Sequence, residues 1–191
     1  PPPLEYFREF FGIREEEMIL YLGRINRRKG IDILVKAFSI LLKERKDVKL
    51  VIAGADDGFL GPLKRIVMKL NLRDKILFTG ALTHKQLLAA YNDATVVTYP
   101  GFDEIFGIVP IEAAFCQKPV IATKHCGMSE VILEGEFGIL VDYGNAFELK
   151  EALAMLIDDR EKARRLGENG KKYVLKELTW NTVIEKLESV Y

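Results

Sequence analysis

Met18-Ile-Leu-Tyr-Leu22 runs into Gly23-Arg24-Ile25-Asn26-Arg27-Arg28-Lys29-Gly30 and then into the segment from Ile31 to Lys43. This order of apolar run, basic loop between glycines, and amphipathic segment decides the fold. The first run is short and without polar alternation, the pattern of a strand covered on both faces. In the segment that follows, Ile33, Leu34, Ala37, Phe38, Leu41 and Leu42 share one face at helical spacing.

The same alternation continues along the chain. Strands are expected at Val48 to Ala53 (ended by Gly54), Lys75 to Thr79 (closed by Gly80), Thr95 to Tyr99 (stopped by Pro100-Gly101), Pro119 to Thr123 and Gly138 to Val141. Helices are expected between them at Leu60 to Leu70, from a Thr83 cap through Leu87, Leu88 and Tyr91, at Gly107 to Phe115 and at Ser129 to Leu133. Pro110 fits only a first helical turn, so that third helix starts near Phe106 or Gly107. About six strands alternating with helices imply an α/β, Rossmann-like, doubly wound parallel sheet. Residues 1–191 are expected to form a single domain with a helical tail over roughly 146–191, made of Phe147 to Asp158, Arg160 to Lys176 and Trp180 to Val190. In the tail, Trp180, Val183, Ile184, Leu187 and Tyr191 form a stripe that packs on the core or meets something outside the domain.

Composition narrows the function. Lys plus Arg and Asp plus Glu are balanced at 28 each, so bulk attraction to polyanions is not expected and nucleic acid is not an expected partner. An anion site must therefore be local. Cys116 and Cys126 are too few for a disulfide framework or a tetrahedral metal site and read as buried thiols in a reducing compartment. No apolar run approaches the ~20 residues of a membrane span. No secretory leader is expected, and Pro1-Pro2-Pro3 without an initiator Met is expected of a piece of a longer chain. A cytoplasmic location is the expectation.

In an open parallel sheet, ligands bind beyond the carboxyl ends of the strands. The loop Gly23 to Gly30 carries three Arg and one Lys where the first strand meets the first helix, and helix N-terminal amides favour anions. The loop Gly54-Ala-Asp-Asp-Gly58-Phe-Leu-Gly61 reads as a turn, its glycine spacing being wrong for a dinucleotide fingerprint. After the fourth strand, Pro100-Gly-Phe-Asp-Glu-Ile-Phe-Gly107 opens a second anion-binding helix end. Ile108, Ile111, Glu112 and Phe115 share a stripe expected to be buried, and a carboxylate there needs partners: a structural ion pair, a cap, or a ligand diol such as ribose. Glu104 and Glu112 flank that helix end without having to touch.

Together, Gly23-Arg24, Lys29-Gly30, Pro100, Glu104-Ile-Phe-Gly107, Glu112-Ala and Lys118-Pro-Val-Ile-Ala122 resemble the C-terminal domain of group-1 glycosyltransferases, retaining enzymes of the GT-B fold. The resemblance covers nearly the whole chain, and the spaced glutamates are its most specific part. It implies a UDP-, GDP- or ADP-sugar donor and no cofactor or metal. Arg24 and Lys29 would hold the donor diphosphate next to Gly23. The amides around Ile105, Phe106, Gly107, Ile108 and Val109 would contact phosphate. Glu112 would accept the ribose hydroxyls, Glu104 would lie at the transferred sugar, and Gly80, Ala81 and Leu82 would line the base. It also implies a separate N-terminal domain for a sugar or lipid acceptor, and a full-length protein that works in the cytoplasm or peripherally at a membrane. The sequence departs from the family's habit at Pro100-Gly101, Ala114 to Gln117 and Cys126-Gly127. His84 reads as a surface residue at a helix start and His125 as a loop residue near the site. The alternatives are a non-catalytic nucleotide-binding scaffold, a GT-B sugar-nucleotide epimerase, and a phosphorylase that would carry pyridoxal phosphate.

Overall fold

The computed structural model describes residues 6–14, 17–102, 104, 106–179, 182, 184 and 188. The expected strands form: β1 (Glu17–Leu22), β2 (Val48–Ala53), β3 (Ile76–Gly80), β4 (Val96–Tyr99), β5 (Val120–Thr123) and β6 (Gly138–Val141). All pair parallel in the order β3-β2-β1-β4-β5-β6, with Glu17 beside Val48 and Ile19 beside Val96. This is the Rossmann strand order, and it reverses direction between β1 and β4, where a crevice opens at the carboxyl edge.

Because strand side chains alternate between faces, the sheet has two cores. Ile19 and Tyr21 of β1 pack on one side with α2 (Ile31–Glu44), α3 (Leu60–Lys69) and α7 (Ala146–Asp158). Met18, Leu20 and Leu22 pack on the other with α4 (His84–Asp93), α5 (Ile108–Phe115) and α6 (Ser129–Glu134). The long α8 (Arg160–Glu177) serves both: Ala163 and Leu166 join the first core and Val174 the second. Thr83 caps α4 in a reciprocal capping box with Gln86. Among the described residues, no helix is long and apolar enough to cross a membrane.

Two differences from the sequence reading matter. A helix missing from that reading, α1 (Tyr6–Phe11), precedes β1; Phe7 is fully buried, and the Arg8 amide donates to Asp93 at the end of α4. The other difference is a correction: the stripe Ile108, Ile111, Glu112, Phe115 is not the buried face of α5. Ile108 is 62% exposed, while Pro110, Ala113 and Ala114 are buried. The cause is α8, which approaches α5 at Gly170; a Cβ there would lie 2.9 Å from the Ala114 Cβ. So close an approach selects the face with small residues and leaves the larger stripe outside. The expected last helix, with Trp180, Val183, Leu187 and Tyr191, lies outside the described residues except at Thr182, Ile184 and Glu188.

Candidate functional site

At the switch point, the basic loop folds as a single 3-10 turn, Arg27–Lys29. The Asn26 side chain caps it by accepting from the Arg28 amide at 2.9 Å, and Gly30, at φ +66°, ends it and starts α2. That left-handed conformation suits glycine, and a side chain at Gly30 would collide with the Pro100 carbonyl. Gly54 likewise lets β2 abut the Gly23 carbonyl. The Phe102 amide donates to the Arg28 carbonyl at 3.0 Å, so the loops after β1 and β4 are tied backbone to backbone.

The resulting crevice has a volume of about 200 Å³. Its lining brings together Gly23, Lys29, Glu104, Phe106, Gly107, Ile108 and Val109 of the expected site residues. Lys29 Nζ lies 2.6 Å from Glu104 Oε2, with side chains 21% and 15% exposed. The Tyr99 hydroxyl donates to the same oxygen at 2.9 Å. No described side chain caps the N-terminus of α5, whose N-cap is Gly107. One cation, one carboxylate and uncapped helix amides therefore face one small space, and unpaired helix amides favour an anionic ligand.

Arg24 stands apart from that lining. Its guanidinium is 3.1 Å from Asp57 and its side chain is 71% exposed. Gly80 ends β3, two strands away, with Ala81 and Leu82 just after it, and the three line neither the crevice nor the groove described next. Ile105 lies outside the described residues.

Glu112 faces a second cavity, a groove of about 280 Å³ between α4 and α5. His84, Leu87, Leu88 and Tyr91 form one wall; Ile108, Ile111, Glu112 and Phe115 form the other. The stripe that fails to reach the core thus builds a groove, and Ile108 belongs to both cavities. The groove walls are mostly apolar, with His84 on the rim and, within, the Glu112 carboxylate and its partner, the Tyr91 hydroxyl, which donates to Oε2 at 2.7 Å. His84 is exposed and sits on the groove rim. His125 is exposed after β5, its ring 5.9 Å from that of Phe102.

Three tyrosines absent from the sequence reading of the site support it from beneath. The Tyr21 hydroxyl donates to the Arg24 carbonyl at 2.9 Å and thereby shapes the basic loop. Tyr99 and Tyr91 each hold one glutamate. Burial pushes all three phenols well above their ordinary range, and nearby glutamates (Glu104 for Tyr21 and Tyr99, Glu112 for Tyr91) push them further. They remain neutral donors at any working pH. The sequence signal was their place: Tyr21 and Tyr99 stand at the carboxyl ends of the two strands that flank the switch point.

Residues 5–173 match the family model described as glycosyl transferases group 1. An uncharacterized glycosyltransferase of Methanocaldococcus jannaschii is 32% identical over 97% of this chain and 47% of its own length. Among solved structures, the C-terminal domain of a glycosyl transferase group 1 family protein from Francisella tularensis aligns with a TM-score of 0.83 at 25% identity, over 94% of this chain and 95% of that one. The Anabaena protein HepE, solved in complex with UDP and glucose, aligns with a TM-score of 0.84 at 25% identity, over 100% of this chain and 53% of that one. The chain spans about half the length of the curated relatives it matches.

Proposed function

The chain belongs to the group 1 glycosyl transferases, and from that premise we propose that it is the donor-binding C-terminal half of a GT-B enzyme, holding a nucleoside-diphosphate sugar for retaining transfer. The observation that carries this reading is the pair of cavities joined at Ile108. The crevice offers a diphosphate Lys29 and the α5 amides; the groove offers a nucleoside apolar walls and one carboxylate. The structure of HepE with UDP and glucose is consistent with such a ligand.

In this reading the diphosphate lies over Gly107, Ile108 and Val109, and Glu112 accepts the ribose hydroxyls. Arg24 swings from Asp57 onto the phosphates, a motion open to a long, exposed side chain. Lys29 and Arg24 then stabilise the charge that develops on the departing diphosphate, without calling on a metal ion. Preorganised charge of this kind is commonly the largest contribution to catalysis, and removing one such donor costs about 10²–10³ in rate. Glu104 orients the sugar hydroxyls and offsets positive charge at the anomeric carbon. The acceptor, a sugar or lipid, is bound mainly by the other half of the protein, so this chain alone binds donor without turnover.

Calorimetric titration with UDP, GDP and ADP, with and without Mg²⁺, tests the reading. One nucleotide is expected to bind with about −4 to −8 kcal/mol, millimolar to micromolar, and to lose affinity in Arg24→Ala and Glu112→Ala. Binding that is equal in both variants and the parent contradicts the assignment.

A further inference from the structure

The Glu112 carboxylate is held on one side only. Tyr91 is 1% exposed, and its hydroxyl reaches Glu112 Oε2 from the buried side of the groove. No other described residue hydrogen-bonds this carboxylate, and the side chain lines the groove. Tyr91 comes from α4 and Glu112 from α5, so the bond also ties the two walls together. A glutamate on a half-exposed helix face otherwise samples several rotamers, and a ligand must bear the cost of fixing it.

We propose that Tyr91 is a positioning residue that makes the groove selective for ribonucleoside over deoxyribonucleoside diphosphates, by fixing Glu112 so that its second oxygen meets the ribose diol. This rests on the nucleoside reading of the groove. A carboxylate already oriented accepts from vicinal hydroxyls with little further ordering. A ligand without those hydroxyls leaves the oriented, partly desolvated oxygen without a donor, and discrimination built on buried polar groups left unpaired is strong. The phenol suits the task because burial and the neighbouring carboxylate keep it protonated. No movement of the crevice residues is needed, since the bond lies wholly within the α4–α5 groove.

The test is titration of the 191-residue chain with whichever of UDP, GDP and ADP binds tightest, and with its 2′,3′-dideoxy counterpart. The parent is expected to favour the ribonucleotide by roughly tenfold or more, the effect of one hydrogen bond to a charged group. Tyr91→Phe keeps the ring in its apolar slot and should bind the ribonucleotide about tenfold more weakly, with dideoxy affinity held within about twofold. The double variant Tyr91→Phe/Glu112→Gln should match Glu112→Gln alone, because Tyr91 acts only through Glu112. A thermal melt checks folding, and Tyr91→Leu replaces the first variant if that one does not fold. Equal losses for both nucleotides make Tyr91 merely structural and overturn the proposal, as does no loss at all. If neither nucleotide binds the parent protein, the nucleoside reading itself fails and this inference fails with it. If both bind, and Glu112→Gln abolishes discrimination while Tyr91→Phe does not, that reading stands and only the role of Tyr91 is refuted.

Discussion

Replacing Glu104 by Gln should make the protein bind a bare nucleoside diphosphate more tightly. In the crevice the Lys29 ammonium is held by Glu104 Oε2 at 2.6 Å. A diphosphate must draw Lys29 away from that carboxylate and sit near its negative charge. At 2.6 Å and an effective dielectric of about 20, the gross attraction is about 6 kcal/mol, but desolvation of two largely covered ions cancels most of it. Exposed pairs are worth about 0–1 kcal/mol, and breaking a buried pair costs about 3–5 kcal/mol. A pair 21% and 15% exposed falls between, so about 1–2 kcal/mol returns to the ligand when the carboxylate is neutralised, a factor of roughly 5–30 in affinity. Gln keeps an oxygen for the Tyr99 hydroxyl, so the local geometry is preserved. The assay is calorimetric titration with whichever of UDP, GDP and ADP binds tightest, at two salt concentrations, with Lys29→Gln as the opposite control. Affinity for that nucleotide that is unchanged or weaker in Glu104→Gln refutes the argument that the Lys29–Glu104 pair competes with the ligand.

Gly54→Ala should destabilise the domain by about 1–3 kcal/mol through backbone overpacking, because its Cβ meets the Gly23 carbonyl at φ +149°; a thermal melt should show the loss, with UDP binding weakened alongside. Gly58→Ala, where a Cβ meets nothing within 4 Å, should cost less, and equal melting temperatures for the two variants would contradict the close-contact argument. Cys116 lines the groove and burial raises its thiol pKa, as it does that of Cys126. Alkylation of both should be slow at neutral pH and quicken as pH rises through the thiols' elevated pKa values, where thiolate accumulates. A saturating level of whichever of UDP, GDP and ADP binds tightest should slow Cys116 selectively, as read by peptide mass spectrometry; identical Cys116 rates with and without that nucleotide would place the nucleoside elsewhere.

The strands and the switch point were legible because covered parallel strands write themselves as plain apolar runs and glycines mark their ends. The crevice was legible for the same reason: Lys29, Glu104 and Gly107 sit immediately after β1 and β4, where the topology alone brings them together. What escaped the reading depends on contacts between distant segments. The α1 helix is short, and its anchor is Asp93, 85 positions from Arg8 in sequence. The exposed face of α5 follows from the approach of Gly170, which no pattern within α5 can report. Arg24 was placed by its position in the loop, but its side chain follows Asp57 in the next strand-end loop. The three phenols are single residues whose partners lie across space or around a turn, so no periodicity announces them.

The two halves of the site are built from different material, and this bears on how such a protein can be re-engineered. The crevice is closed by main chain against main chain, at Gly30 with Pro100 and Gly54 with Gly23, so a loop there cannot be lengthened or decorated without displacing its neighbour. The groove is walled by Leu87, Leu88, Ile111 and Phe115, side chains carried on two helices. If the groove takes the nucleoside and the crevice the diphosphate, a library that randomises those four positions and leaves the strand-end loops untouched explores new bases on an unchanged crevice.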